Sequence, residues 1–334
     1  MRRFLGMEML ELIRSLPNQI EEALQYELPL LEMPKRIFIC GMGGSAIAGD
    51  ITKTLAKNSK IAIEVVRDYS LPSYATKGDL LIASSYSGDT EETISAFEDG
   101  KSKNLTLLAI SSGGKLENLA QKYEVPHIKI PQGYPPRTAL GYLLTPIVKV
   151  LKNLGIIDDK TFEDYIKLPK FLQSLQEEFE KENSLAIELA SKYYRRIPVI
   201  YTSTALYPVA LRWKAQINEN SKAFCHTMEF PEMNHNEING IKNPAGRCED
   251  LWVTFLQDEE DHPRVKLRFE ITKELIENSI QGYSIIESKG SNWVHRIFYL
   301  IYLGDYVSLY LAKFYKEDPI AIPRISELKR RLSQ

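Results

Sequence analysis

Only three of the 334 residues are cysteine and five are histidine. Cys40, Cys225 and Cys248 form no paired framework and have no C-x-x-C spacing, so a disulfide scaffold is excluded and a reducing compartment fits best. No H-E-x-x-H and no Cys/His cluster occurs, so no metal is expected. Charge of neither sign dominates: 42 Lys and Arg stand against 44 Asp and Glu. That balance excludes the basic face of a nucleic-acid binder and any acidic tail. Lys329, Arg330 and Arg331 read as the last turn of a helix, where cations meet the negative dipole end. No apolar run reaches the length of a membrane span, and Tyr299–Tyr310, broken by Asp305, reads as a buried core helix. Met1-Arg2-Arg3 leads into a mixed helix bearing Glu8, Glu11 and Arg14, which predicts no signal peptide and a cytoplasmic protein.

What is present is an alternation of short β-branched runs with helical patterns, the mark of a parallel sheet covered on both faces. In the first half the runs are 36–40, 61–66, 80–83, 105–110 and 125–130; in the second they are 197–201, 224–229, 251–256 and 283–287. Helices are expected at about 208–218, 262–277 and 293–314. Residues 158–195, rich in Lys, Glu, Leu and Gln, read as one long amphipathic helix joining the halves. The length and this pattern predict two α/β domains, 1–155 and 156–334.

Two loops of the first half suit an anion. In Gly41-Met42-Gly43-Gly44-Ser45-Ala46 the glycines allow close backbone approach, and Ser45 can cap the helix or donate to a ligand. Alone, this loop also satisfies G-x-G-x-x-A, with Glu64 at dinucleotide-binding spacing, and it could equally be a structural turn. Ser85, Ser87 and Thr90, just before the next helix, decide for phosphate: three hydroxyls plus free helix-end N–H groups match oxygens that only accept. A capping box from Ser87 or Asp89 to Glu91 or Glu92 would use only one of them. Ser85-x-Ser87-Gly88-x-Thr90, with Gly43-Gly44-Ser45 one βα unit earlier, resembles the sugar isomerase (SIS) domain. The resemblance implies a flavodoxin-like parallel sheet that binds phosphorylated sugars.

An aldose–ketose isomerase needs a ring-opening acid/base, a carboxylate base and a fixed cation. Arg137 follows a rigid diproline at a helix start, where it opposes the dipole; a solvated surface arginine is the competing reading. Arg212, Gln216 and Glu219 share one helix face at i, i+4 and i+7, with Trp213 and Ile217 turned inward; a solvated helix end is the alternative for Glu219. His235, inside Asn234-His235-Asn236-Glu237, could otherwise be an N-cap or surface residue.

Together with Pro136-Arg137 and Trp213-Lys214-x-Gln216-x-Asn218-Glu219-Asn220, these stretches resemble, in order and over nearly the whole chain, the bifunctional phosphoglucose/phosphomannose isomerases. The resemblance implies two SIS domains, no metal, and a homodimer acting on hexose 6-phosphates through a cis-enediol. It implies that Glu219 moves the proton between C1 and C2 and that Arg137 steadies the enediolate. His235 would open the ring, reaching in from the partner subunit, assisted by Lys329 in Ile325-Ser326-Glu327-Leu328-Lys329. Gly44, Ser45, Ser85, Ser87 and Thr90 would hold the phosphate. One departure is that Asp318-Pro319-Ile320-Ala321-Ile322 lacks the threonine often found ahead of that lysine, which bears on the second substrate, mannose 6-phosphate. The competing readings are a sugar-phosphate regulator, which would bring an output module, and another SIS enzyme acting on an aminosugar phosphate.

Overall fold

Burial on both faces explains why the strands read as near-continuous apolar runs. The structure, a computed structural model, describes residues 8–332; Met1-Arg2-Arg3 of the signal-peptide expectation lie outside them. Two compact units emerge, one reaching to Ser174 and including Asn292–His295, the other comprising Leu175–Ser291 and the chain from Arg296 onward.

In the first unit, helices α1 (Met9–Arg14) and α2 (Leu16–Leu24) precede β1 (Arg36–Cys40), α3 (Gly44–Leu55), β2 (Ala62–Val66) and β3 (Leu80–Ser84). Then come α4 (Glu91–Ser102), β4 (Thr106–Ser111), α5 (Gly114–Lys122), β5 (His127–Lys129) and α6 (Leu140–Asn153). The five strands are parallel in the order β2-β1-β3-β4-β5, the flavodoxin-like arrangement that puts the topological switch between β1 and β3. One face packs Phe38, Cys40, Leu81, Ala83, Leu107 and Ala109 with Ala96 and Phe97 of α4. The intervening residues Ile37, Ile39, Leu80, Ile82, Leu108 and Ile110 are equally buried, so the other face is covered too.

Residues 158–195 are not one helix. They form α7 (Asp159–Ile166), α8 (Leu168–Glu180) and α9 (Leu185–Tyr193). Pro169 lacks an N–H and crowds the preceding turn, so a new helix begins there. Asp158 caps α7 by accepting from the Thr161 N–H, and Ser184 caps α9 by accepting from Ile187. Helical periodicity continued across these breaks, which hid the caps.

The second unit continues with β6 (Ile197–Ser203), α10 (Tyr207–Asn220), β7 (His226–Phe230), α11 (Glu237–Gly240), β8 (Leu251–Gln257), α12 (Pro263–Ile276), β9 (Gly282–Glu287), α13 (Trp293–Tyr315) and α14 (Pro323–Leu332). Its four strands are again parallel, in the order β7-β6-β8-β9, over a core of Val199, Tyr201, Phe230, Val253, Phe255 and Phe269. The two units are thus α/β sheets flanked by helices, the second with four strands among the described residues. All three cysteines are free thiols, and burial pushes those of Cys40 and Cys225 up to about 12. Helix α13 has the length and apolarity of a membrane span, but 89% of its most apolar window is buried inside the protein.

Asp305 explains the interrupted apolar pattern of α13. It takes two hydrogen bonds from Arg212, at 3.0 and 2.7 Å, and one from Gln216 at 2.8 Å, all buried. Next to it, Trp213 donates to the Leu300 carbonyl at 2.8 Å and packs where a Cβ on Gly304 would stand 2.3 Å from its ring nitrogen. Arg212 and Gln216 are therefore structural, gripping α13 rather than sharing a task with Glu219. Removing one partner strands a buried charge, so Arg212→Ala should lose about 3–5 kcal/mol of stability. In thermal denaturation it should fall far below wild type, whereas Arg330→Ala, whose partner is the exposed Glu327, should stay close to wild type.

Candidate active site

The C-terminal ends of the first unit's strands meet four loops. Gly41 follows β1, and a Cβ on it would lie 2.8 Å from the Ser84 carbonyl at the end of β3. Gly88 has φ +77°, and a Cβ there would stand 1.7 Å from the Gly113 carbonyl. A Cβ on Gly44 would lie 2.9 Å from the Pro136 carbonyl and 3.4 Å from the Cα of Arg137. The glycine loop, the serine loop, the Ser111–Gly114 loop and the arginine turn thus touch backbone to backbone.

Within this cluster the hydroxyls are not used for helix capping. Gly43, not Ser45, occupies the N-cap of α3, and the hydroxyl of the buried Ser45 makes no hydrogen bond among the described residues. Thr90 is the N-cap of α4 without a side-chain cap bond. Its Oγ1 accepts from the Ser85 hydroxyl at 2.9 Å, and Ser85 in turn accepts from the Gly88 N–H at 3.1 Å. Ser87 is exposed and accepts from the Asp89 N–H at 3.2 Å. Asp89 instead accepts from the Lys115 N–H, at the start of α5. The N-termini of α3 and α4 therefore face this edge with their hydroxyls still able to serve an anion.

Arg137 is buried, with 3% of its surface exposed, on a 3-10 turn spanning Pro136–Thr138. That excludes the solvated-arginine reading. The loop leading to it is held from the serine side. Tyr86 donates to the Pro131 carbonyl at 3.0 Å and accepts from the Tyr134 N–H at 2.7 Å, and Gln132 donates to the Ser112 carbonyl at 2.8 Å.

The remaining expected residues belong to the second unit. Glu219 is half-buried in the last turn of α10. Just beyond it, Lys222 donates to the Asn220 carbonyl and to that of Asp318, tying the segment that leads into α14 to the end of α10. Lys329 is exposed on α14, whose final turn carries all three expected basic residues. His235 closes a 3-10 turn, Glu232–His235, and is exposed.

The anchoring around His235 was not foreseen. Asn234 donates to Thr272 at 2.8 Å and accepts from Arg268 at 3.2 Å, both on α12. Asn236 donates to Glu232 at 2.8 Å and accepts from the Glu237 N–H at 2.6 Å. Glu237 accepts from the Tyr201 hydroxyl and, at 3.0 Å, from the His226 ring. Burial raises the Glu237 carboxyl, but the His226 and Tyr201 bonds outweigh it and hold it below its ordinary value. His235 itself makes no hydrogen bond among the described residues. Every neighbour is fixed and the imidazole is left available. Only the polar density of Asn234-His235-Asn236-Glu237 hinted at this.

Residues 30–130 match the SIS domain family, and residues 182–332 match the family described as the bacterial phospho-glucose isomerase C-terminal SIS domain. The bifunctional phosphoglucose/phosphomannose isomerase of Caldicellulosiruptor bescii is 40% identical, over 98% of this chain and 99% of its own. That of Aquifex aeolicus is 36% identical, over 90% and 91%. In fold, the C-terminal domain of glucosamine-fructose-6-phosphate aminotransferase from Francisella tularensis superposes with a TM-score of 0.71 at 16% identity, covering 96% of this chain and 100% of that one.

The loop contacts are directly testable. Alanine at Gly88 meets both a left-handed φ and the Gly113 carbonyl, with the backbone strain alone costing about 1–3 kcal/mol. Gly88→Ala should lower the melting temperature and abolish stabilisation by inorganic phosphate. Gly240→Ala, with nothing within 4 Å of the added carbon, should do neither.

Proposed function

The chain belongs to the bifunctional phosphoglucose/phosphomannose isomerase family, and from that premise we propose that it interconverts glucose 6-phosphate and mannose 6-phosphate with fructose 6-phosphate through a cis-enediol. The observation that carries this is the contact of Gly44 with the Pro136–Arg137 backbone, which sets a buried cation beside a loop built for phosphate. In this reading, residues 1–155 form the phosphate-binding domain and 156–334 the domain supplying proton-transfer groups.

In this scheme Ser45, Ser85, Ser87 and Thr90 donate to the phosphate, and Gly44 with the N-termini of α3 and α4 adds N–H groups. His235 passes a proton between the ring oxygen and O1 to open the pyranose, and Lys329 assists. Glu219 removes the proton from C2 and returns it to C1, while Arg137 meets the negative charge that grows on the enediolate oxygens. His235 is supplied by the partner subunit of a homodimer, working in the cytoplasm without metal or cofactor. C2 becomes planar in the enediol, so one base serves both aldoses if the intermediate can turn about C2–C3. Ile320 and Ile322 stand where the family's threonine often lies and would narrow that room.

A coupled assay with each hexose 6-phosphate tests the reading. Both sugars should turn over, with kcat/KM values within about two orders of magnitude, because pocket-scale discrimination is only about 1–3 kcal/mol. Inactivity on mannose 6-phosphate at saturation would remove dual specificity, and inactivity on both would remove the isomerase assignment.

Glu219→Gln preserves shape and removes the base, so turnover should fall by about 10²–10⁴ while sugar phosphate still binds. Near-normal exchange of the C2 proton with deuterated solvent would move the base elsewhere. Mixed with His235→Ala chains, it should regain about one working site in two, by counting sites across a two-fold interface. No recovery after verified subunit exchange would put His235 in its own chain's site or in none.

A further inference from the structure

Gln19 is completely buried on α2, and its amide binds the turn that carries Arg137 at one end and the first turn of α6 just beyond it at the other. Its Nε2 donates to the Thr138 carbonyl at 2.7 Å and to the Ser15 hydroxyl at 2.9 Å. Its Oε1 accepts from the Gly141 N–H at 3.1 Å, one of the amides that the first turn of α6 leaves without a helical partner. The two backbones nearly touch: a Cβ on Gly141 would lie 2.6 Å from the Gln19 Cβ and 3.0 Å from the Ile20 nitrogen.

Further along, Tyr142 donates to Glu22, and the Lys149 ammonium donates to the Leu24 and Tyr26 carbonyls at 2.6 Å each, closing the C-terminal end of α2. The arginine turn is therefore held from two sides, by Gly44 and α3 on one and by α2 on the other. Neither α2 nor the Pro136–Thr138 turn lies in the residues matched to the SIS family, 30–130, or in those matched to the C-terminal family, 182–332.

We propose that Gln19 is a positioning residue for Arg137. It fixes the backbone on both sides of Ala139, so that the guanidinium stands ready where enediolate charge develops. This rests on the reading that Arg137 stabilises the enediolate. A cation fixed in advance needs no reorganisation at the moment of reaction, and displacement by about 1 Å can cost two orders of magnitude in rate. Because the loss falls on the transition state alone, kcat should drop while KM holds.

The test uses the full-length enzyme with Gln19→Met, which keeps the length and removes the hydrogen bonds, and Gln19→Asn, which is too short to span both groups. Lys149→Met is the control, since it loosens α2 at the opposite end. Both Gln19 variants should lose about 10–100-fold in kcat with little change in KM, on the scale of a misplaced catalytic group. Lys149→Met should lose thermal stability and keep its kcat. In an Arg137→Ala background, Gln19→Met should cause no further loss, because the group it positions is gone. Wild-type kcat in the Gln19 variant that folds, or a full additional loss on top of Arg137→Ala, would overturn the proposal. A wild-type enzyme inactive on both sugars would overturn the isomerase reading and this proposal with it, which separates the two failures.

Discussion

Main-chain groups can grip a phosphate only if main chain can reach it, and in this protein that requirement is met where side chains are missing. At Gly41, Gly44, Gly88 and Gly114 a single added carbon would lie under 3 Å from a neighbouring oxygen or backbone atom. Removing the carbon lets the ends of β1, β3 and β4 and the arginine turn close on one another. The switch between β1 and β3 brings the N-termini of α3 and α4 to the same edge. Buried Arg137 then needs no long reach, because its backbone already sits against the glycine loop. On the proposed reading, phosphate recognition and charge stabilisation follow from one packing arrangement.

The second sheet carries acidic groups at the end of β8. Its β8 runs out into Gln257-Asp258-Glu259-Glu260-Asp261, so carboxylates stand where a phosphate site would need donors. Arg296, almost fully buried, pairs with Asp258, Glu259 and Glu260 at 2.6–2.8 Å, and Ser288 donates to Asp258. An arginine committed to three carboxylates offers no net positive field to a dianion. On the proposed reading, two sheets of similar topology take different tasks, with the phosphate at the first and proton-transfer groups carried by the second unit.

Much of this was legible because it is local. Strand runs, glycine loops and the order Ser85, Ser87, Thr90 are contiguous in sequence, and their chemistry follows from residue type. The three helices of 158–195 were not legible, because amphipathic periodicity persists through Pro169 and Ser184 while the helix ends do not announce themselves in it. Asp305 read as an interruption of an apolar helix because its partners, Arg212 and Gln216, lie about ninety residues away. Gln19 carried no signal at all: a single glutamine on a short helix gains meaning only from the Thr138 and Gly141 backbone it meets 119 and 122 residues later.

The phosphate cradle of the first unit and the histidine turn of the second also differ in how they are held. Ser85 and Thr90 bond to each other and Arg137 is buried, so the cradle is set before any ligand arrives. His235 is exposed although Asn234 and Glu237 on either side of it are hydrogen-bonded into the unit and Asn236 bonds Glu232 of the same turn. Lys329 is exposed on α14, a helix with no buried residue, whose Ile325, Leu328 and Leu332 leave an apolar stripe uncovered. A histidine that is rigidly mounted yet presented outward suits a group offered to a neighbour better than one serving its own pocket. The price of that arrangement is stability of the mount: the Glu237 carboxyl, held below its ordinary value, contributes above the pKa of the unfolded chain, and its contribution is lost as pH falls through the lowered folded value. Acid should therefore loosen the histidine turn.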